Sequence, residues 1–476
     1  MTAVLESTAY PDLEADDTMA LFTSADITLI TQGVLAQGSP RAAIRRVWTD
    51  SRTVRRGDLF VALTGARFDG HQFVPEALKK GAAGALVRRG YKLPGAALLI
   101  EVDEPLRAFQ ELARAHRRRF DIPVVAVSGS NGKTTTKDMI GAILAARFAT
   151  LKTEGNLNNH IGVPQTLLRL TSRHEVAVIE MGISGLGELT RLCEMAAPTH
   201  GVLTNIGPTH LETLGDVRAV ARAKGEMLDA LPADGTAILN ADDAFFDELS
   251  ARVRGHVRSF GFSEHADVRA LHVKLQGPSE TVLRVGVRGR TRPFSVTLRV
   301  AGAHNIANAL AAVATGVALG VGDGAIREGL ARYRPTAMRS EVCRWRGVTV
   351  LKDCYNANPA SMRAAIRWLA EVKETGRAIA VLGDMLELGQ EAKRAHRDIG
   401  LELARQGTDY LLIVGALAAE IAGGALAGGM PADRVIMAKN HTGLAERLQG
   451  ILRKGDVVLL KGSRGTTMER VLEALK

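Results

Sequence analysis

The sequence predicts an α/β protein of three domains: a mixed α/β N-terminal domain, a central parallel-sheet domain of the P-loop ATPase type, and a C-terminal Rossmann-like doubly wound domain. Three observations carry this. The chain has 476 residues, and compact domains run to roughly 100–200 residues each. Apolar strand-like runs alternate with helical segments in two series, one opening at Pro123 and one at Val348, as parallel sheets with crossover helices require. The first strand of the earlier series, "VVAVSG", passes straight into "SNGKTTT", a glycine-bearing turn that opens a helix.

Residues 1–22 carry Glu6, Asp12, Glu14, Asp16 and Asp17 and read as a flexible N-terminal extension. A signal peptide needs positive charge followed by an apolar run, so none is expected. Residues 23–103 form the first domain, with strands in "GDLFVAL" and "GALVRR" and a helix in "HQFVPEALKKGA". The central domain, 104–336, begins with the helix "PLRAFQELARAHRRRF". Pro105 suits a first helical turn, and Leu106, Phe109, Leu112 and Ala113 share one face. Arg117, Arg118 and Arg119, beside Arg114 and His116, read as the solvated face of that helix. Strands follow in "VVAVSG", "EVAVIEMG", "GVLTNIG" and "TAILNADD". A β-rich insertion is expected at about 257–300, and the helix "HNIANALAAVATGVAL" closes the domain. A break near "RYRPTAMRSE" opens residues 337–476, where five strands are expected: "VTVLKD", "AIAVLGD", "YLLIVG", "RVIMA" and "DVVLLKG".

Composition narrows the function classes. Hydrophobic residues are 46% and charged residues 24%, which is ordinary for a soluble domain. The net charge of +10 with only 4% aromatics argues against base-stacking on nucleic acid and suits an anionic small substrate. Cys193, Cys343 and Cys354 form no C-x-x-C pair, so a reducing cytoplasmic setting is expected. The stretch from Tyr410 to Met430 is long and apolar, but Glu420 and five glycines interrupt it. It reads as a strand–helix unit of a buried sheet, and no membrane insertion is expected.

The loop carries the chemistry. Gly129 and Gly132 allow backbone N–H groups to turn toward phosphate oxygens. Ser130 and Asn131 lie between them, and the helix that starts at Lys133 aims its dipole at an anion. Lys133 can reach the outer phosphates, and the Thr134 hydroxyl, with Thr135 beside it, can meet Mg²⁺. The usual loop has a glycine where Val127 stands. Glu180 ends a strand and His210 follows another. With Thr134 they form a mostly oxygen donor set of the kind Mg²⁺ takes. Lys224 reads, from spacing alone, as a surface lysine. Asn158 and Asn159, in "TEGNLNNHIGVP", are either a polar loop or a substrate rim. Asn305 either reads an adenine edge or caps a helix. "KDCYNANP", "LGDMLELG" and "LLKGSRG" all follow strands, where open α/β sheets bind ligands.

These motifs stand in one order: "SGSNGKTTT", "EMG", "NIGPTH", "AKGE", "GAHNIANALAA", "RSE" and "DCYNANP". In that order the chain resembles the Mur ligases, ATP-dependent amide-forming enzymes of peptidoglycan synthesis, from about residue 24 to its end. The short loop without the extra glycine is the family's form. The resemblance implies ATP phosphates on Gly129–Thr135, one Mg²⁺ on Thr134 and Glu180, and a second held partly by His210. It implies a carbamylated Lys224 whose added carboxylate also meets magnesium. It implies nucleotide contacts from Asn305, Arg339 and Asp353, and a UDP end received by Ser51, Arg52, Asp69, Gly70 and His71. Lys133, Glu180, His210 and Lys224 are then the expected catalytic set.

"DSRTVRRGDLFVALTGARFDGHQF", "YNANP" and "KGSRGTTME" point to the dipeptide-adding branch. That implies UDP-N-acetylmuramoyl-tripeptide, D-alanyl-D-alanine and ATP as substrates of a cytoplasmic monomer. A single-amino-acid-adding relative, a folylpolyglutamate synthetase and a nucleotide-binding module without ligase chemistry remain as rivals. "EMGISGLGE" departs from the family in lacking the asparagine often found after "EMG".

Overall fold

The computed structural model describes residues 20–65, 68–95, 98–373 and 375–475. The extension expected over residues 1–22 lies, up to residue 19, outside the described residues. The chain forms two compact units. One runs to Val124 and adds Ala149–Met181 and Thr190–Pro198; the other comprises Val125–Phe148, Gly182–Leu189 and Thr199–Lys476.

In the first unit the strands Val34–Gln37, Leu99–Val102, Gly84–Arg88, Asp58–Val61 and Arg46–Trp48 lie side by side in that order. The first pair is antiparallel and the rest are parallel. Thr150–Lys152 and Val176–Glu180 also pair in parallel. The helix Pro105–Arg117 forms as expected, with Glu104 accepting from the N–H groups of Leu106 and Arg107. It packs against the helices Ser24–Thr31 and Gly162–Leu167.

The arginine cluster on this helix is a solvated face only in part: Arg118 and Arg119 are exposed, but Arg117 is not. Arg117 is buried, and its guanidinium donates to the carbonyls of Ala196, Phe120 and Ile122. Arg119 lies 4.5 Å from the centre of the Phe22 ring and donates to Leu21 O. These cations close off backbone carbonyls, a use that spacing cannot reveal.

His116 is buried on the same helix. Its Nε2 lies 2.9 Å from Leu170 O, so Nε2 carries the proton, and Nδ1 has no partner. Burial pushes its pKa down from 6.5 to about 4. Folded-state stability from this group is therefore whole above pH ~6.5 and lost as the pH falls toward ~4, because only the unfolded chain takes up the proton. The full swing is about 3 kcal/mol. His116→Gln, which keeps a donor for Leu170, is expected to flatten the fall in urea midpoint between pH 7 and 4.5. An unchanged pH slope would count against this assignment.

In the second unit the strands Phe294–Leu298, Thr281–Val287, Val268–Leu275, His256–Gly261, Thr236–Asn240, His200–Leu203 and Val124–Ser128 lie in that order. The β-rich segment expected at about 257–300 supplies strands of this same sheet. His256–Gly261 pairs in parallel with Thr236–Asn240, and only the last strands turn antiparallel. The alternating pattern reported strands correctly but could not report their partners.

Further along, the order is Glu341–Trp345, Val348–Lys352, Val457–Lys461, Ala378–Leu382, Tyr410–Ile413 and Val435–Met437. The five expected strands are present and parallel. Glu341–Trp345 adds an antiparallel sixth, which its half-exposed, polar "EVCRW" did not announce. Alternate residues feed two apolar layers: Leu351, Ala380, Leu411 and Leu459 on one face, Val350, Ile379, Leu412 and Val458 on the other. That is why these strands read as unbroken apolar runs. The stretch from Tyr410 is a strand followed by the helix Ala418–Ala427. Among the described residues no helix is long and apolar enough to cross a membrane. All three cysteines are free, and burial drives the Cys354 thiol up to about 12.

Candidate active site

The phosphate loop joins the buried strand Val124–Ser128 to the helix Lys133–Ala145. Gly129 has φ +138° and Gly132 has φ +79°. A Cβ at Gly129 would overlap Thr204 Oγ1, and one at Gly132 would overlap Asn308 Oδ1. Both glycines are therefore demanded twice, by backbone geometry and by packing. Val127, where a longer loop would begin, is a fully buried strand residue.

The loop is strapped to the segment after His200–Leu203. Ser130 N donates to Asn205 O at 2.9 Å, and Asn131 N to Asn205 Oδ1 at 3.0 Å. Ser130 Oγ accepts from Gly207 N at 2.8 Å, and Thr204 Oγ1 donates to Asn131 O at 2.5 Å. Lys133 Nζ folds back on its own loop, donating to Gly129 O at 2.8 Å and Ser130 O at 3.3 Å. The same strapped segment carries His210, in the left-handed region at φ +54°, at the start of the helix Leu211–Leu214. Glu387 Oε2 lies 2.9 Å from its Nδ1.

Lys224 corrects the surface reading. It lies on the helix Val217–Asp229 and is 1% exposed. Burial, and then the charge of Lys133, push its pKa well below that of an ordinary lysine. An amine in that setting is disfavoured as a cation and is not the solvated lysine its spacing suggested.

Asn305 is 1% exposed, and its Nδ2 donates to Ala301 O at 2.8 Å. Arg339 lies 3.7 Å from the centre of the Tyr355 ring. Asp353 accepts from Lys461 Nζ at 2.6 Å and from Ser340 N at 3.1 Å. Burial raises its pKa, but Lys461, helped by His304 and the Ser340 N–H, outweighs that and holds the carboxyl below its ordinary range. Lys461 is itself buried and also donates to Asp353 O and Asn356 O. His304, pushed down to about 4 by burial, sits 3.3 Å from Ser340 Oγ.

The other expected residues belong to the first unit. Glu180, 1% exposed at the end of its strand, accepts from Asn158 Nδ2 at 2.8 Å. Asn159 Oδ1 accepts from the N–H groups of Ile161 and Gly162, a capping role. Arg52 forks onto Asp50 through Nε and Nη2, and the Ser51 carbonyl accepts from Lys80. His71 Nε2 accepts from Arg88 N at 3.0 Å, so Nδ1 carries the proton to Asp69 Oδ1 at 2.6 Å. Asp69 and His71 thus shape their loop, and the Gly70 backbone is so close to Leu63 that no side chain fits. The structure gathers Gly129–Thr135, His210, Lys224, Asn305, Arg339 and Asp353 in one unit and Ser51, Arg52, Asp69–His71, Asn158, Asn159 and Glu180 in the other.

Sequence reasoning missed three residues. Asn308 packs under Gly132 and binds Thr136 Oγ1, Lys461 holds Asp353, and Glu387 meets His210. Each lies inside a quoted motif, but a side chain aimed at another motif leaves no local pattern. No group of three or more His, Cys, Asp or Glu converges as a metal cage among the described residues. Mg²⁺ needs no such cage, because it keeps waters and substrate phosphates and takes only one or two protein oxygens. A buried Lys224 amine disfavoured as a cation fits the carbamate that would add one more.

Three family descriptions match the chain: "Mur ligase family, catalytic domain" over residues 43–117, "Mur ligase middle domain" over 127–316, and "Mur ligase, glutamate ligase domain" over 338–464. The UDP-N-acetylmuramoyl-tripeptide–D-alanyl-D-alanine ligase of Escherichia coli K12 is 38% identical over 96% of this chain and 99% of its own. The ligase of the same name from Bacillus subtilis 168 is 36% identical over 95% and 98%. A crystal structure of MurF from Acinetobacter baumannii superposes with a TM-score of 0.88 at 33% identity, covering 95% of this chain and 98% of that one. MurF ligase from Thermotoga maritima in complex with ADP gives 0.79 at 30% identity, covering 90% and 96%.

Proposed function

The chain belongs to the Mur ligase family, and from that premise we propose that it is an ADP-forming ligase that joins D-alanyl-D-alanine to UDP-N-acetylmuramoyl-tripeptide. The observation that carries the reading is the juxtaposition of a strapped phosphate loop with a buried, neutral-leaning Lys224, in a chain aligned end to end with ligases of that name.

A carboxylate oxygen of the tripeptide attacks the γ-phosphorus of ATP, the bond to the β-phosphate oxygen breaks, and ADP leaves. The amine of the dipeptide then attacks the acyl carbon; the C–N bond forms, phosphate departs, and the amine proton passes to solvent. Gly129–Thr135 orient the phosphates, and Lys133 neutralises charge as it moves from γ- to β-oxygens. Asn305, Arg339 and Asp353 hold the nucleoside end, while Ser51, Arg52 and Asp69–His71 receive the UDP end. Asn158 and Asn159 rim the substrate.

Thr134 and Glu180 would hold one Mg²⁺, and His210 with a Lys224 carbamate a second. When bound, magnesium supplies charge neutralisation on the phosphates. The carbamate forms when the neutral amine adds CO₂ and releases one proton. In this reading residues 23–103 bind the UDP substrate, 104–336 bind ATP and 337–476 bind the dipeptide, in a cytoplasmic monomer with a flexible 1–22 extension.

With UDP-muramoyl tripeptide and ATP present, phosphate release is expected on adding D-alanyl-D-alanine and not on adding single amino acids. Release with single amino acids alone would overturn the reading.

A further inference from the structure

We propose that Glu387 is a positioning residue for His210: its carboxylate accepts the Nδ1–H, fixes the tautomer and aim of the imidazole, and does so only while the 384–389 loop is docked on the 205–214 segment. The inference rests on the reading of His210 as part of the active site and adds to it the group that holds it.

The contact is 2.9 Å, between Nδ1 and Oε2. A glutamate carboxylate offers acceptor oxygens only, so at this distance Nδ1 is the donor. Nδ1 therefore carries the proton, and Nε2 keeps its lone pair for a metal or a donor.

Both residues are non-glycine residues in the left-handed region, at φ +54° and φ +62°. Such geometry persists only where the surroundings impose it. Both loops are held from behind. Gly383 N donates to Lys461 O at 2.8 Å, Met385 N to His396 Nε2 at 2.9 Å and Leu386 N to Ser463 Oγ at 2.9 Å. On the other side, Thr209 and Gly207 are tied to Ser130, and Leu214 N closes on His210 O at 2.9 Å.

The loops also meet at a second point. A Cβ placed on Gly389 would touch Glu212 Cα at 3.6 Å. Asn358 Nδ2 donates to Asn131 Oδ1 at 2.7 Å, so the neighbouring motif docks on the phosphate loop directly. His210 and Glu387 are 28% and 48% exposed, and an ion pair that open adds little to stability. Its effect therefore lies in aim and not in stability.

Glu387→Ala and Glu387→Gln, made in the full chain, test this. The probe is Mn²⁺ titrated by EPR in the presence of the β,γ-methylene analogue of ATP. Glu387→Ala is expected to weaken Mn²⁺ binding about tenfold, the lower end of outer-shell effects. Glu387→Gln, whose amide oxygen still accepts, should recover most of the loss, and the urea midpoint should not move. In His210→Ala the further change Glu387→Ala should cost nothing more. In metal-free protein the His210 ring ¹⁵N shifts should report Nδ1–H, and a tautomer mixture in Glu387→Ala. Wild-type Mn²⁺ affinity in Glu387→Ala, or additive losses in the double variant, would overturn the proposal. Failure of the dipeptide to release phosphate would instead overturn the ligase reading and leave these measurements interpretable.

Discussion

Lys224→Ala is expected to lower kcat by about 10²–10³-fold, the range seen when one preorganised stabilising group is removed. The fold should survive. The lost side chain is a buried amine already disfavoured as a cation, so its removal leaves a small cavity but also relieves a desolvation cost. Short carboxylic acids such as formate or acetate should restore part of the rate, because they return a carboxylate to the space the carbamate fills. Lys224→Arg should be equally slow and not rescued, since a guanidinium neither adds CO₂ nor leaves room. The checks are kcat with and without added carboxylate, and a carbamate carbon resonance under ¹³CO₂ in wild type only. A wild-type rate in Lys224→Ala would remove the carbamate from the mechanism.

Lys461→Met should be the most damaging change to stability, at about 3 kcal/mol, because it strands Asp353 with its charge uncompensated. It also strips a donor from two carbonyls, Asp353 O and Asn356 O. The pH dependence identifies the cause. In wild type Asp353 sits below its ordinary pKa, so its stabilisation is whole above ~4, the unfolded value, and lost as the pH falls through the folded one. Without Lys461, burial, the largest single influence, is opposed only by His304 and the Ser340 N–H, and the folded pKa is expected to rise above ~4. Protonation then relieves the variant, so its deficit should narrow as the pH drops below ~5. Calorimetry across pH 4 to 8 reads both effects; a deficit independent of pH would point to lost packing instead. Asp353→Asn added to Lys461→Met should recover part of the stability at neutral pH.

What was legible in the sequence followed from local rules. "VVAVSGSNGKTTT" announced strand, turn and helix because phosphate binding needs that order, and the apolar runs from Val348 announced a sheet covered on both faces. What was illegible depended on partners far along the chain. Arg117 looked solvated because its acceptor carbonyls include Ala196 and Ile122. Lys224 looked exposed because spacing says nothing about what packs over a helix. His256–Gly261 looked like an insertion because only its pairing with Thr236–Asn240 makes it sheet. Asn308, Lys461 and Glu387 were hidden for the same reason: their meaning lies in Gly132, Asp353 and His210.

The fold-back of Lys133 onto Gly129 O and Ser130 O has a consequence for selectivity. Those two bonds form a built-in rival to any incoming anion. A ligand gains only the difference between its own attraction for the ammonium and what the carbonyls already give, about 1–3 kcal/mol for bonds of this type. The more charge an anion brings to the ammonium, the more of that standing competition it offsets.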